Sequence, residues 1–258
     1  MPSSYAHYRF GQLAYPALPP EIRRTVQRFR QLYEVGLHGP DLFFYYQPLF
    51  HTKMGELGHT YHAVSGRVFF SDAVSRLRDN PSEGAVSYLF GVLAHYALDG
   101  ACHPMIRSIA AEGKIGHTEL ETEFDRYLLT LDGKEPPHTQ NLSRHMKLTW
   151  GECVTVSECY PPATSYTIRR CIRLMALVNR VLAMQNRALL QRIFGLGGKE
   201  ASQMVMYPRP NHKCSHLDEP LLALSDQALE RYTALAQQLA AAIYDHTPLG
   251  DDFEPSFG

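Results

Sequence analysis

The most informative part of this sequence is "AHYALDGACHP", residues 94–104. It lies in a long apolar segment, residues 81–113, whose hydrophobic side chains are not confined to one stripe. A segment of that kind predicts a buried central helix. His95, Asp99 and His103 recur at every fourth position within it. On a helix these three residues form one polar stripe in otherwise apolar surroundings.

A second pair with the same spacing follows in "GHTELETEF", residues 116–124, where His117 and Glu121 are four residues apart. One interpretation is a set of hydrogen-bonded polar residues, since a single His–Asp pair at this spacing is often only a helix-surface pair. The other is metal binding. Five such residues on two neighbouring, otherwise apolar helices favour metal, because buried charges are costly unless they are paired or coordinated.

The spacing predicts more than one ion. His95 and His103 lie about 12 Å apart along a helix axis, whereas zinc–ligand bonds are about 2.0–2.2 Å. Asp99 lies between them and can bridge two ions, and His117 with Glu121 can complete the site that begins at His103. Mixed histidine and carboxylate ligands suit zinc, although manganese and iron also accept them.

Helical periodicity dominates the rest of the chain and predicts an all-α protein with a single multi-helix domain over residues 1–258. Only "CVTVSECY", residues 153–160, alternates as a strand would. The predicted helices cover residues 20–36, 58–79, 81–113, 117–133, 164–195 and 225–246. The last of them is expected to begin with a Ser225-Asp226 cap. Residues 37–58 and 204–220 are expected to be irregular.

Composition excludes several classes of protein. Hydrophobic residues make up 45 % of the 258 residues, which excludes a disordered chain. The net charge of −1 does not favour a stable nucleic-acid partner, and basic clusters such as "RRCIR" are interpreted as solvated helix faces. Five cysteines without a CxxC pair indicate a reducing compartment. With neither a signal peptide nor a membrane span in the sequence, a cytoplasmic location is expected.

At these residues the sequence resembles the zinc-dependent phospholipase C family, whose fold is shared with the fungal single-strand nucleases. The resemblance rests on the ordered series His95, Asp99, His103, His117 and Glu121, and on two upstream motifs. These motifs are "AHYRFG", residues 6–11, and "GLHGPDLFFYY", residues 36–46, which are typical of a bacterial, intracellular-type branch. The resemblance covers roughly the first half of the chain.

The resemblance implies two or three zinc ions. Asp41, an upstream histidine, His95 and Asp99 would hold the first ion, and Asp41 would also be the candidate catalytic base. His103, His117 and Glu121 would hold the second ion. His7 and Asp99 would hold a third, and if Met1 is removed the amine of Pro2 would be a further ligand.

The upstream histidine has three candidates. His62 matches the branch best, because it follows a Leu-Gly pair and precedes a helix rich in Phe. His51 lies closer to the Asp–His separation of the secreted enzymes, and His59 is the third candidate.

Two further motifs are open to a functional interpretation. "NHKCSHLDEP", residues 211–220, places His212, Cys214 and His216 at two-residue spacing, which predicts an irregular surface loop or, alternatively, a lid near the site. "LFFYYQPLF", residues 42–50, is aromatic enough to line a lipid or base pocket, and core packing is the competing interpretation.

The implied reaction is hydrolysis of a phosphodiester, with a lipid or a small molecule as substrate. Closely spaced ions about 3.5–4 Å apart serve such displacements at phosphorus. The alternatives are a nuclease or nucleotide phosphodiesterase on the same fold, and a metal-stabilised helical binding module without catalysis. A phosphohydrolase built on an adjacent His-Asp dipeptide is disfavoured, because the chain contains no such dipeptide. The sequence does not specify an oligomeric state.

Overall fold

The computed structural model describes residues 4–46 and 52–258, and its secondary structure is helical. The α-helices are α1 Ser4–Ala14, α2 Pro20–Arg28, α3 Arg30–Gly36, α4 Lys53–Ala63, α5 Gly66–Asp79, α6 Glu83–Ala111, α7 His117–Leu131, α8 Trp150–Glu158, α9 Ser165–Leu182, α10 Arg187–Gly195, α11 Lys199–Gln203 and α12 Asp218–Tyr244. Short 3-10 helices include Gly39–Tyr45 and Asp251–Phe253. The predicted all-α fold class is confirmed.

Helix α6 lies at the centre of the molecule. Almost every residue from Gly84 to Asp99 is buried, so the apolar run is surrounded by protein as expected. Seven helices pack against α6, namely α1, α2, α3, α5, α7, α8 and α12. The polar stripe of α6 therefore lies inside the fold.

Helices α3 and α6 approach each other backbone to backbone. A Cβ atom on Gly36 would lie 2.3 Å from the carbonyl oxygen of Tyr88, and one on Gly91 would lie 2.2 Å from the carbonyl oxygen of Tyr33. Only glycine fits at such a distance. This contact places the end of α3, and the segment that carries Asp41 after it, directly against α6.

Three of the predicted long helices are each divided in two. Ser65 accepts a hydrogen bond from the Arg67 N–H and begins α5, and Asn186 accepts one from the Leu189 N–H and begins α10. These side chains satisfy N–H groups that a continuous helix would have satisfied internally. Between α2 and α3, the carbonyl of Phe29 accepts a hydrogen bond from the Ser87 hydroxyl of α6.

The stretch 37–58, which was expected to be irregular, is helical from Lys53 onward. Two other local predictions were wrong. "CVTVSECY" lies in α8 and the turn after it, because Thr149 and Glu152 form a reciprocal capping box that starts a helix. Ser225 does not begin α12, which starts at Asp218, so Ser225 is an interior residue of that helix. Asp218 and Glu219 supply the acidic first turn there.

Nearly all of the buried hydrophobic side chains in the described residues form one cluster, which includes residues from Tyr5 to Phe257. Such a core is compatible with the single domain expected for residues 1–258, which stays a prediction. In the part of the chain that the structure describes, no helix is both long enough and apolar enough to cross a bilayer.

Candidate metal centre

Five elements bring the predicted ligands together around α6. The side chains come from α1 (His7), the 3-10 helix Gly39–Tyr45 (Asp41), α4 (His62), α6 (His95, Asp99 and His103) and α7 (His117 and Glu121). They form three groups, and within each group the potential ligand atoms all lie within 4.8 Å of one another.

The first group is His7, His95 and Asp99, and all three residues are buried. Asp99 Oδ1 lies 3.2 Å from His7 Nε2, and Asp99 Oδ2 lies 3.0 Å from His95 Nε2. The two imidazole rings are stacked with their centroids 4.2 Å apart. The two carboxylate oxygens of Asp99 therefore face different histidines.

The second group is Asp41, His62 and His95, so it shares His95 with the first. His62 Nε2 lies 3.2 Å from Asp41 Oδ1 and 3.9 Å from Asp99 Oδ2. The α4 helix thus turns His62 towards a carboxylate from each of two other elements.

The third group is His103, His117 and Glu121. Glu121 Oε1 lies 3.4 Å from His103 Nε2 and 3.2 Å from His117 Nε2. His103 Nε2 is also 3.5 Å from Asp99 Oδ1, so Asp99 lies between the third group and the other two. The His117 side chain is 34 % exposed, more than any other residue of the three groups, and the centre opens to solvent beside it.

Two buried polar atoms at the centre fit a metal ion better than a hydrogen bond. His95 Nε2 and Asp99 Oδ2 are 3.0 Å apart, yet neither atom has a hydrogen-bond partner among the described residues. Buried polar atoms without a partner are rare and costly. A histidine nitrogen and a carboxylate oxygen are both zinc ligands.

Backbone carbonyls orient two of the imidazoles so that Nδ1 is protonated and Nε2 faces the centre. His95 Nδ1 lies 3.3 Å from the Leu37 carbonyl oxygen, and His62 Nδ1 lies 2.7 Å from the Gly58 carbonyl oxygen. Because a carbonyl only accepts, each Nδ1 carries a proton, so in the neutral form of the ring each Nε2 presents a lone pair to the centre. Metal-binding histidines are commonly oriented in this way.

The carboxylate of Asp99 and the surrounding imidazoles shift one another's pKa values towards the charged forms. Burial by itself would raise the pKa of Asp99, but the imidazoles of His103, His95 and His7 hold that pKa well below its usual range. Burial opposes protonation of His95 and His103, yet the Asp99 carboxylate raises the pKa of both. Protons and a metal ion would therefore compete for these histidines.

Gly39 allows the Asp41 segment to pass close to His95. Its φ is 42°, in the left-handed region, and a Cβ there would lie 2.7 Å from His95 Cδ2. Both the backbone conformation and the space require glycine. This residue sits two positions before Asp41, so the requirement belongs to the geometry of the centre.

A family model for zinc-dependent phospholipase C matches residues 6–159, which is more than half of the chain. The chain belongs to the zinc-dependent phospholipase C family. The matched region contains all three groups of potential ligands. No curated protein matches the chain, and no solved structure matches it either.

The three candidates for the upstream histidine have different positions. His62 belongs to the second group, whereas His59 is exposed and packs edge-on against Phe44. His51 lies outside the described residues, as does the Met1–Pro2 terminus that was expected to offer an amine. Of the two candidates that the structure describes, His62 is the one that this zinc-dependent phospholipase C family member places among the other potential ligands.

Sequence reasoning missed Asp125, which anchors the helix that carries His7. Asp125 Oδ2 accepts the Tyr5 N–H at 3.0 Å and Oδ1 accepts the Ala6 N–H at 2.8 Å. These N–H groups belong to the first turn of α1 and have no partner within that helix. A signal was available, because Asp125 continues the four-residue spacing of His117 and Glu121.

The C-terminal segment was also missed, and it lies beside the potential ligands. The Phe257 ring is fully buried and lies 6.3 Å from the His62 ring and 6.1 Å from the His95 ring. The Gly258 N–H donates to the His62 carbonyl at 3.3 Å. A Cβ on Gly258 would lie 2.3 Å from His103 Nδ1. Nothing in the local sequence connects "PSFG" with a site on α6.

The two remaining motifs do not add ligands within the described residues. His212 and His216 are exposed while Cys214 is buried, so their side chains do not converge. Their loop does contact the first turn of α7, where Asn211 Nδ2 donates to Glu119 Oε1 at 2.8 Å. Leu42 and Phe43 are core residues, and residues 47–50 of the aromatic stretch lie outside the described part.

Proposed function

We propose that this chain is a zinc-dependent phosphodiester hydrolase that acts on a lipid phosphodiester. The observation that carries the proposal is the overlap of the three ligand groups, in which Asp99 contacts histidines of every group. A purely structural zinc site is closed by four ligands around one ion. Several adjoining groups with a shared carboxylate are what a multinuclear hydrolytic centre requires.

Zinc bound there would polarise the phosphoryl oxygens and lower the pKa of a water molecule towards neutrality. We assign His7, Asp41, His62, His95, Asp99, His103, His117 and Glu121 as its ligands, in two or three sites. The histidine and carboxylate donors, with unpartnered atoms at His95 Nε2 and Asp99 Oδ2, support this assignment.

Asp41 is the proposed catalytic residue. Burial opposes its ionisation, but a hydrogen bond from His62 and the charge of nearby His95 lower its pKa. A carboxylate held so acidic stays ionised and is a strong hydrogen-bond acceptor. We infer that it orients the attacking water and accepts a hydrogen bond from it, rather than retaining the proton.

The lipid substrate is inferred from membership of the zinc-dependent phospholipase C family. The open side of the centre, at His117, is where a head group would enter. The buried residues around His7 and His95 would exclude bulk water from the reacting phosphate.

The proposal predicts a separation of metal content from activity in Asp41→Asn. We expect the variant to keep most of its zinc, because the other ligands remain, and to hydrolyse bis-p-nitrophenyl phosphate at least about a hundredfold more slowly than the wild type. Zinc is measured by elemental analysis, and activity is measured on the model diester and on phospholipid, nucleotide and nucleic-acid substrates.

The matched control is Asp226→Asn, an exposed aspartate on α12, which should retain full activity. Wild-type protein with a full complement of zinc and no hydrolysis of any diester would contradict the proposal and favour a non-catalytic binding module. Preference for nucleic acid over phospholipid would replace the lipid substrate with a nuclease assignment.

A further inference from the structure

The charges of this chain are unevenly distributed. Residues 165–199, which cover α9 and α10, contain six arginines and one lysine and no aspartate or glutamate. The whole chain nevertheless has a net charge of −1, so the remainder is acidic. A basic region on an otherwise acidic protein points to an anionic partner at that place.

Helix α10 presents an apolar face to solvent within this basic region. Leu189 and Ile193 of α10, together with Leu196 directly after the helix, follow the spacing of one helix face, and Arg192 lies among them. The exposed fractions are 42 % for Leu189, 48 % for Ile193 and 91 % for Leu196. Such an apolar face normally packs on the core. In α10 the buried residue is instead Leu190, which does not belong to this face.

Helix α10 is connected through α11 to the helix that carries His117. Helix α10 packs against α11, and α11 packs against α7. The Gln203 side chain of α11 packs directly on Gly116, where a Cβ atom would lie 2.3 Å from it. His117, the most exposed of the proposed ligands, is the next residue.

We propose that the exposed face of α10 docks on the surface of an anionic phospholipid bilayer. Leu189, Ile193 and Leu196 would enter the boundary between head groups and acyl chains, while Arg192, Arg180 and Lys199 would contact lipid phosphates. Basic residues interleaved with large apolar ones characterise helices that lie in a membrane interface. A nucleic acid would use the charges but leave the leucine and isoleucine side chains without an apolar environment, so the bilayer fits better.

The docking proposal rests on the proposed function for its choice of a lipid partner, because a bilayer docked at α10 would bring its head groups near His117. Docking itself needs no catalysis. It is therefore measured on zinc-loaded protein carrying Asp41→Asn, by co-sedimentation with vesicles. One vesicle preparation is phosphatidylcholine alone, and the other contains equal parts of phosphatidylcholine and phosphatidylserine.

We expect binding to the phosphatidylserine vesicles that weakens as salt is raised. Ile193→Ser with Leu196→Ser, and separately Arg180→Gln with Arg192→Gln, should each lower the partition coefficient by about tenfold or more. Leu131→Ser is the matched control for the apolar variant, and Arg24→Gln combined with Arg107→Gln is the matched control for the arginine variant. These residues are exposed and lie outside this region. Circular dichroism confirms that each variant is folded.

Three results would overturn the docking proposal: no vesicle binding by the folded Asp41→Asn protein, equal loss in variants and controls, or tight binding to an oligonucleotide without vesicle binding. A dimer in light scattering that Leu196→Ser dissociates, with no vesicle binding, would show that a second copy covers the face.

Vesicle binding by a protein that hydrolyses no diester would leave the docking proposal standing and reject the proposed hydrolase. Hydrolysis of a soluble diester without vesicle binding would do the reverse.

Discussion

At the scale of the residue, Asp99 decides how the centre is organised. Its two oxygens face His7 and His103 on one side and His95 on the other, at distances from 3.0 to 3.5 Å. The four-residue spacing of α6 is enough to predict that Asp99 lies between His95 and His103. The contact with His7 is not predictable in this way, because it requires α1 to pack on α6.

Asp218 is a buried carboxyl outside the centre, and it predicts a specific pH dependence. Burial and the nearby Glu123 raise its pKa from 3.8 to about 7, against the effect of Arg126. The folded protein thus holds this proton more tightly than the unfolded chain. Ionisation of Asp218 costs folding free energy progressively as the pH rises from about 4 to about 7.

Asp218→Asn should therefore become more stable relative to the wild type as the pH rises from about 5 to about 8. The measurement is the free energy of unfolding in urea, in the presence of a chelator so that metal binding does not contribute. Asp226→Asn is the exposed control and should show no such trend. A variant whose relative stability stays constant across this range would show that Asp218 titrates normally.

At the scale of the element, the N-terminus of α1 depends on α7. Both oxygens of Asp125 accept N–H groups from the first turn of α1, namely those of Tyr5 and Ala6. This is a helix cap supplied by a different helix, and the negative charge also suits the positive end of the helix dipole. It fixes the helix that carries His7.

In Asp125→Asn one of the two acceptors becomes an N–H₂ group that faces a donor. We expect the free energy of unfolding to fall by about 1–3 kcal/mol, measured by urea denaturation of the metal-free protein. Asp72→Asn is the matched control, because it breaks only the exposed pair with Arg76 and should cost less than about 1 kcal/mol. Equal effects of the two changes would mean that Asp125 has no special role in holding α1.

At the scale of the whole molecule, the C-terminal segment closes one side of the structure. The Pro255 carbonyl accepts the Gly66 N–H at 2.9 Å and the Tyr96 hydroxyl at 3.0 Å. The Phe257 ring then packs among the rings of Phe69, Phe70 and Tyr96 and beside the two histidines. Helix α1 and the C-terminal segment, which are separated by most of the sequence, thus both contact α6.

Phe257→Ala should lower the free energy of unfolding by about 3–5 kcal/mol, because it leaves a cavity at a fully buried position. We also expect weaker zinc binding, since the ring supports His62 and His95. Urea denaturation and competition with a chromogenic chelator measure the two effects. Tyr207→Ala, at a 52 % exposed position, should change stability by less than about 0.5 kcal/mol, and a similar small effect of Phe257→Ala would contradict this role of the segment.

Local sequence patterns were enough to predict the helical class, the central position of α6 and the common stripe of His95, Asp99 and His103. These follow from hydrophobic periodicity and from the helix repeat, which are local properties of the chain. Helix ends were less predictable, because a single side chain such as Asn186 can start a new helix within a continuous periodic pattern.

The distant residues that join this stripe are set by the packing of the folded chain. His7, His62 and the Phe257 ring reach it because α1, α4 and the C-terminal segment pack on the same side of α6. Such contacts depend on close approaches elsewhere, for example at Gly36 and Gly91. The free energy that selects them is spread over the whole buried core, and no short stretch of sequence contains it.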